Sequence, residues 1–306
     1  MEEELNLNTG IIPVIHVAGD NLPHAWETAI LETWNRGAKV RTEYDSKDNK
    51  GNFIDPPSRD ATMIISVNNP FAEPRIHKNI PGGPEELEVY RQEVVDGIHD
   101  HWVDPADPTK WTYTYHERVS AYAATTNLDD PNAPRFPPID QLEYIVDKLS
   151  EALYSRRAQA ITWIPSADPQ TDDPPCLQRL WFRGLRDEDG TAVLNLNTHW
   201  RSRDGYKAWF MNAFALTDLQ RDVAGRLSER LGEPVRVGGY TDISDSFHIY
   251  GSYFREFAPE LKKMREGPDY TKRAWNSDDE TIQTMFQETR RKLIEDPDFA
   301  RKWEKK

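Results

Sequence analysis

"QTDDPPCLQRLWFR", residues 170–183, contains the only cysteine of the 306-residue chain. Two prolines precede the thiol, and the alternating apolar residues after it predict a strand. A lone cysteine is by default a small buried hydrophobe. It is also a candidate nucleophile, because a thiolate is the most reactive group a protein offers near neutral pH. Which of the two Cys176 is depends on what the rest of the chain brings to it.

The bulk properties narrow the classes. At 35.4 kDa the chain can bury a full core, and ten tryptophans and eleven phenylalanines supply apolar bulk for it. Charged residues make up 29% and the mean hydropathy is -0.79, so the surface is well solvated. No apolar run approaches the roughly 20 residues of a membrane span. The acidic start, "MEEELNLNTG", argues against a signal or transit peptide. One cysteine excludes an intramolecular disulfide framework, which makes a reducing cytoplasm the default setting. A net charge of -14 argues against a general nucleic-acid surface. A phosphate ligand stays open, because a few converging arginines build a local positive site in an acidic protein.

Periodicity sets the coarse architecture. "PHAWETAILETWNRGA" predicts a helix with Trp26, Ile30 and Trp34 on one face and Asn21 as its cap. "RDATMIISV" reads as a buried strand, "PEELEVYRQEVVDGIHDHW" as an amphipathic helix, and "WTYTYHERVSAY" as an alternating strand. "IDQLEYIVDKLSEALYSRR" predicts a helix with Ile139, Leu142, Ile145, Val146, Leu149 and Leu153 inward. "AQAITWI", "LQRLWF" and "TAVLNLNTHW" then predict three strands, followed by a long helix ending at Gly232 and a strand over "VRVGGYTDISDSFHIY". Ser277 and Glu280 read as a capping box opening a last helix with Ile282, Met285, Phe286 and Leu293. Helices and strands interleave without regular βαβ alternation, so the expected class is α+β.

Four short segments bear on Cys176. They are "SRR" at 155–157, "PPC" at 174–176, "RSRD" at 201–204 with Asn212 eight positions past Asp204, and "HIY" at 248–250. In order and spacing they resemble the thymidylate synthase and pyrimidine nucleotide hydroxymethylase superfamily. That pattern runs from paired arginines after a helix through Pro-Cys, Arg-Ser-x-Asp and an asparagine to His-x-Tyr. Each motif alone is weak, and their joint occurrence is hard to attribute to chance. "SRDATMIISV" and "YTYHERV" resemble the family more faintly, and "SFHIY" is closer to its archaeal branch.

The resemblance implies one thymidylate-synthase-like catalytic domain over 1–265, with a C-terminal helical extension over 266–306. Its mixed sheet would be flanked by helices, with one sheet face used for dimerisation. It also implies a chemistry. Adding a thiolate to C6 of uracil turns the ring into an enolate whose C5 attacks a one-carbon electrophile, and cysteine is both strong nucleophile and competent leaving group. Arg201 would stabilise the thiolate and share the nucleotide phosphate with Arg59, Arg156 and Arg157. By themselves, Arg156 and Arg157 read as a solvated helix end. In the family such arginines enter the partner subunit's site, which implies a homodimer with shared active sites.

Asn212 would read the base, since an amide offers donor and acceptor side by side, matching O4 and N3–H of uracil. His248 and Tyr250 would hold the ribose 3′-hydroxyl, and Ser202 and Asp204 the phosphate and base edge. Taken singly, Asn212 reads as a buried backbone partner and the His-x-Tyr pair as an ordinary strand face. Tyr115 is placed near the base, and Glu93 as the glutamate that organises water, with Glu86 and Glu88 as rivals. Trp102 or Trp111, with Asp204, would serve 5,10-methylenetetrahydrofolate, the implied co-substrate. No metal is implied.

The pattern also breaks. Leu177 stands where the family commonly has histidine, Trp200 where it has glutamine, and the end "DFARKWEKK" lacks the apolar tail that closes over the folate. Three functions therefore compete. The first is methylation of deoxyuridylate at C5, the second a hydroxymethylase on dUMP, dCMP or CMP, the third a nucleotide binder without turnover. A binder has no need of a thiol beside the base.

Overall fold

The computed structural model describes residues 10–104, 107, 109–123 and 137–303, and its β-branched segments assemble into one mixed sheet. In chain order the strands are β1 (Val14–Gly19), β2 (Ala38–Val40), β3 (Ser58–Val67), β4 (Ile76–His77), β5 (Gln159–Ile161), β6 (Leu177–Arg186), β7 (Ala192–Trp200), β8 (Arg203–Asp204), β9 (Val235–Ile249) and β10 (Ala274–Trp275). The spatial order is β1-β3-β9-β7-β6-β5, with β2 on β3, β8 on β9, and a separate β4–β10 ladder. β1–β3, β7–β9 and β8–β9 are parallel, and the other pairs antiparallel.

The helices are α1 (Leu22–Arg36), α2 (Gly83–Asp96), α3 (Tyr115–Ser120), α4 (Gln141–Glu151), α5 (Trp209–Leu231), α6 (Phe254–Glu266), α7 (Glu280–Glu295) and α8 (Pro297–Arg301). α1 starts as its sequence dictates: Asn21 accepts the His24 N–H and Pro23 occupies the first turn. α5 stops at Gly232, whose φ of 70° is the left-handed conformation a glycine adopts without strain. One face of the sheet buries Ile15, Val17, Met63, Ile65, Leu194, Leu196 and Tyr240 in a single core with Trp26, Ile30, Phe210 and Phe214 of α1 and α5. Burying each such large side chain contributes about 1.5–3 kcal/mol. The α+β class and the single mixed sheet flanked by helices agree with the reading of the sequence.

Register shifts fall at Ala61/Met63, Leu177/Arg179 and Leu194/Leu196, and such bulges bend a strand and re-aim its side chains. At the last of them α5 repairs the ladder, since buried Gln220 donates to the carbonyls of Leu194 at 2.8 Å and Gly239 at 3.2 Å.

Three local readings need correction. "WTYTYHERVSAY" is not a strand. The Thr114 hydroxyl accepts the Glu117 N–H at 2.9 Å and starts α3, so a cap signal overrides the alternation. Ile139 is 54% exposed because Asp140 is the cap and α4 begins only after it. The helix expected after Ser277 is α7 and opens on Asp279, which accepts the Thr281 N–H, while Ser277 instead bonds the Glu73 carboxylate. On that helix Ile282 and Phe286 enter the core, Leu293 is half-buried and Met285 lies on the exposed side. Its Arg290 pairs with Glu88 of α2.

Candidate active site

β6 and β7 pair antiparallel with Leu177 opposite Trp200, and the pairing continues past both strands. The Arg201 N–H donates to the Cys176 carbonyl at 2.9 Å. Pro174 and Pro175 have no N–H to extend the ladder, but their carbonyls remain, and the Arg201 guanidinium takes both, at 2.5 and 3.1 Å. The guanidinium is thus folded onto the segment that carries the thiol. Cys176 is half-buried. Burial pushes its thiol above the usual range, Arg201 and Arg203 pull it down, and Asp173 pushes it further up.

Cys176 opens into a cleft of about 620 Å³ together with Arg41, Arg201, Ser202, His248 and Tyr250. Arg59 is not in that lining; its guanidinium lies 5.7 Å over the Trp34 ring. Arg41 occupies the cleft instead, tied to Asp45 at 3.1 Å and the Asp55 carbonyl at 2.8 Å. Sequence reading missed Arg41, and the only signal for it was a basic residue directly after a short strand. Arg156 and Arg157 are exposed and lie outside the cleft of their own chain.

His248 sits between two carboxylates in the sheet, opposite Asp60 of β3 and Asp204 of β8. Burial holds the imidazole below its ordinary value, against the pull of both carboxylates. Burial likewise raises Asp60 and Asp204. The ring is therefore neutral at pH 7, the form that both donates and accepts. Tyr250 stands edge-on to it with ring centroids 4.5 Å apart. Asp204 is largely committed to the turn into α5, accepting from the N–H groups of Tyr206 and Lys207 and from the Tyr253 hydroxyl.

Beneath the thiol, Tyr115 accepts the Leu177 N–H at 3.4 Å and packs edge-on to Trp200 at 5.6 Å. The Arg203 guanidinium covers the Trp200 ring at 3.3 Å and donates to Asn212 at 2.8 Å and Asp242 at 2.5 Å. Asn212 in turn donates to the Tyr90 hydroxyl. A second cleft of about 750 Å³, lined by Tyr90, Glu93, Trp111, Tyr113 and Tyr115, joins the first at Asp172 and Asp173. Glu93 reaches it while paired with His99 at 2.9 Å. Glu88 is fully buried in ion pairs with Arg91 and Arg290, and Glu86 lines a smaller neighbouring pocket. Trp102 stacks on His99 at 4.4 Å, behind the cleft that Trp111 faces. Among the described residues, no cluster of three or more His, Cys, Asp or Glu could hold a metal ion, and no helix is long and apolar enough to cross a membrane.

Because Cys176 is the sole cysteine, alkylation by iodoacetamide reads it alone. The rate should rise with pH to a midpoint above the ordinary thiol value of about 8.5. Asp173→Asn should lower that midpoint and Arg201→Met raise it, as removal of a negative and a positive neighbour requires. A wild-type midpoint at or below the ordinary value, or shifts of the same sign in both variants, would contradict the electrostatics described.

The chain as a whole has relatives. Residues 86–291 match the family model described as thymidylate synthase. A protein of Methanosarcina acetivorans is 28% identical over 234 residues, covering 76% of this chain and 88% of that protein. One of Methanosarcina mazei is 29% identical over 236 residues, with 76% and 88% covered. One of Methanothermobacter thermautotrophicus is 32% identical over 178 residues, with 58% and 65% covered. All three carry the name "Putative thymidylate synthase". With the family model covering two thirds of its length, from α2 to α7 and including Cys176, Arg201, Asn212 and His248, the chain belongs to the thymidylate synthase family.

Proposed function

We propose that the protein transfers a one-carbon unit to C5 of deoxyuridylate through a covalent bond between Cys176 and C6. The observation that carries this reading is the position of the only cysteine, half-buried in a cleft with a guanidinium bonded to the two residues before it. Arg41 and Arg201 provide the positive end for the phosphate and His248 and Tyr250 the sugar edge. Asn212, buried outside the lining of both clefts and bonded to Arg203, is assigned the base. Attack of the Cys176 thiolate on C6 forms the S–C6 bond and moves an electron pair through C5 to O4. C5 then bonds the methylene carbon of the donor and loses its proton, and the carbon–nitrogen bonds to the donor would break. Hydride, for a methyl product, or water, for a hydroxymethyl product, adds to that carbon as the S–C6 bond breaks and the ring regains its double bond.

The aromatic second cleft, with Glu93 at its edge, suits a flat pterin ring with polar edges. There 5,10-methylenetetrahydrofolate would supply the carbon and, for a methyl product, the reducing equivalents. Burial holds the Tyr115 hydroxyl well above its ordinary value, so it is neutral and orients a water for the C5 proton rather than taking it.

A second reading, release as hydroxymethyl, is favoured by Asp172 and Asp173. They stand where the clefts meet and could order a water against the transferred carbon. Mass spectrometry of the product from deoxyuridylate and methylenetetrahydrofolate separates methyl from hydroxymethyl. A methyl product is expected, with Cys176→Ser abolishing turnover while nucleotide binding stays within about tenfold. Activity above a few per cent in that variant would end the covalent mechanism.

Two copies are proposed to meet across the other sheet face, where Val14, Ile161 and Leu185 are exposed and Ile64 and Ile243 only partly buried. Arg156 and Arg157 would then complete the partner's phosphate site. An Arg156→Ala/Arg157→Ala chain and a Cys176→Ser chain should each be inactive alone. Mixed after subunit exchange, half the dimers carry one intact site, so about a quarter of wild-type activity should return. Verified exchange with no recovery would place the arginines in their own chain or off the substrate.

A further inference from the structure

Arg203 occupies the variable position of "RSRD" and, unlike Arg201, turns away from the cleft. It is 2% exposed, and three groups fix it: the Trp200 face at 3.3 Å, Asn212 Oδ1 at 2.8 Å and Asp242 Oδ2 at 2.5 Å. Asp242 is itself immobile. Its carboxylate also accepts from Ser244 at 2.7 Å, Tyr240 at 3.0 Å and Thr198 at 3.3 Å, with no exposed surface. This amounts to a rigid charged support built behind one side chain, the amide of Asn212.

We infer that Arg203 is the positioning residue that makes Asn212 a reader of uracil rather than cytosine, an inference that rests on the function proposed above. An asparagine amide has two acceptor lone pairs and two donor hydrogens. Arg203 takes one lone pair, because a guanidinium can only donate, and the Tyr90 hydroxyl takes one hydrogen. One acceptor and one donor remain, the pair that complements N3–H and O4 of uracil.

Cytosine presents the reverse pair, an N4 amino donor and an N3 acceptor. The same amide could read it only after a half-turn about its last bond. Turned, its amino group would face the Arg203 N–H, donor against donor, in a buried site. An asparagine by itself is indifferent to the two bases; the guanidinium behind it removes one of its two orientations. The tyrosine cannot do this, because a hydroxyl accepts or donates as required.

The test reads binding rather than turnover. Deoxyuridylate and deoxycytidylate are titrated for protection of Cys176 against iodoacetamide in the wild type and in Arg203→Met. Because that variant strands Asp242, the double variant Arg203→Met/Asp242→Leu, which replaces the whole pair by apolar groups, is measured beside it. The wild type should prefer deoxyuridylate by about tenfold or more, and the variants should lose that preference mainly by gaining deoxycytidylate. If both variants keep the wild-type ratio, or weaken both nucleotides equally, Arg203 is structural only and the inference is overturned. If neither nucleotide protects the wild type, the proposed function itself falls, and this inference with it.

Discussion

The pairing of Leu177 with Trp200 is the constraint on which the site depends. It places Cys176 and Arg201 across from one another just beyond the strands, although 24 residues of hairpin separate them in the chain. The two prolines make the arrangement one-sided, since they offer carbonyls and no donors, and Arg201 supplies the donors. The thiol is therefore positioned by backbone geometry. Its electrostatics are poised: burial alone keeps it protonated, and the nearby guanidinium groups lower the cost of ionisation.

Below that layer the same strands carry a buried ionic layer. Arg203, Asp242 and Asn212 lie under Trp200, while His248 lies between Asp60 and Asp204 on neighbouring strands. Buried charges of this kind add little net stability, because desolvation offsets attraction. What they provide is orientation. A saturated Asp242 fixes Arg203, Arg203 fixes the Asn212 amide, and His248 is held between two carboxylates at the cleft. Substituting tryptophan for the family's usual glutamine at position 200 fits this layer, since the ring gives the guanidinium a flat surface to cover.

The legible part of the fold was local. α1 with Asn21 as cap, α5 ending at Gly232 and the strands β3, β6, β7 and β9 all follow from periodicity and cap chemistry. α3 was misread because alternating aromatics outweighed Thr114 and Glu117, a cap signal only six residues of helix could follow. The site was legible as residue types but not as contacts. Cys176, Arg201, Ser202, His248 and Tyr250 do line one cleft, whereas Arg41 replaces Arg59 in it, and nothing in the local pattern distinguishes the two arginines. Likewise the bonds from Asn212 to Tyr90 and from Arg203 to Asp242 join residues far apart in the chain, so sequence spacing carries no trace of them.

The central claim is that Cys176 bonds to C6 of a uracil nucleotide. 5-Fluorodeoxyuridylate tests it, because fluorine at C5 cannot depart as the proton does, and the adduct stops before the S–C6 bond can break. The wild type should be incubated with this analogue and methylenetetrahydrofolate, denatured, and weighed by mass spectrometry. A mass gain that includes one nucleotide, mapped to the peptide spanning residues 170–183 and absent from Cys176→Ser, is the expected result. A wild-type chain of unchanged mass, or an adduct on any other residue, would contradict the account.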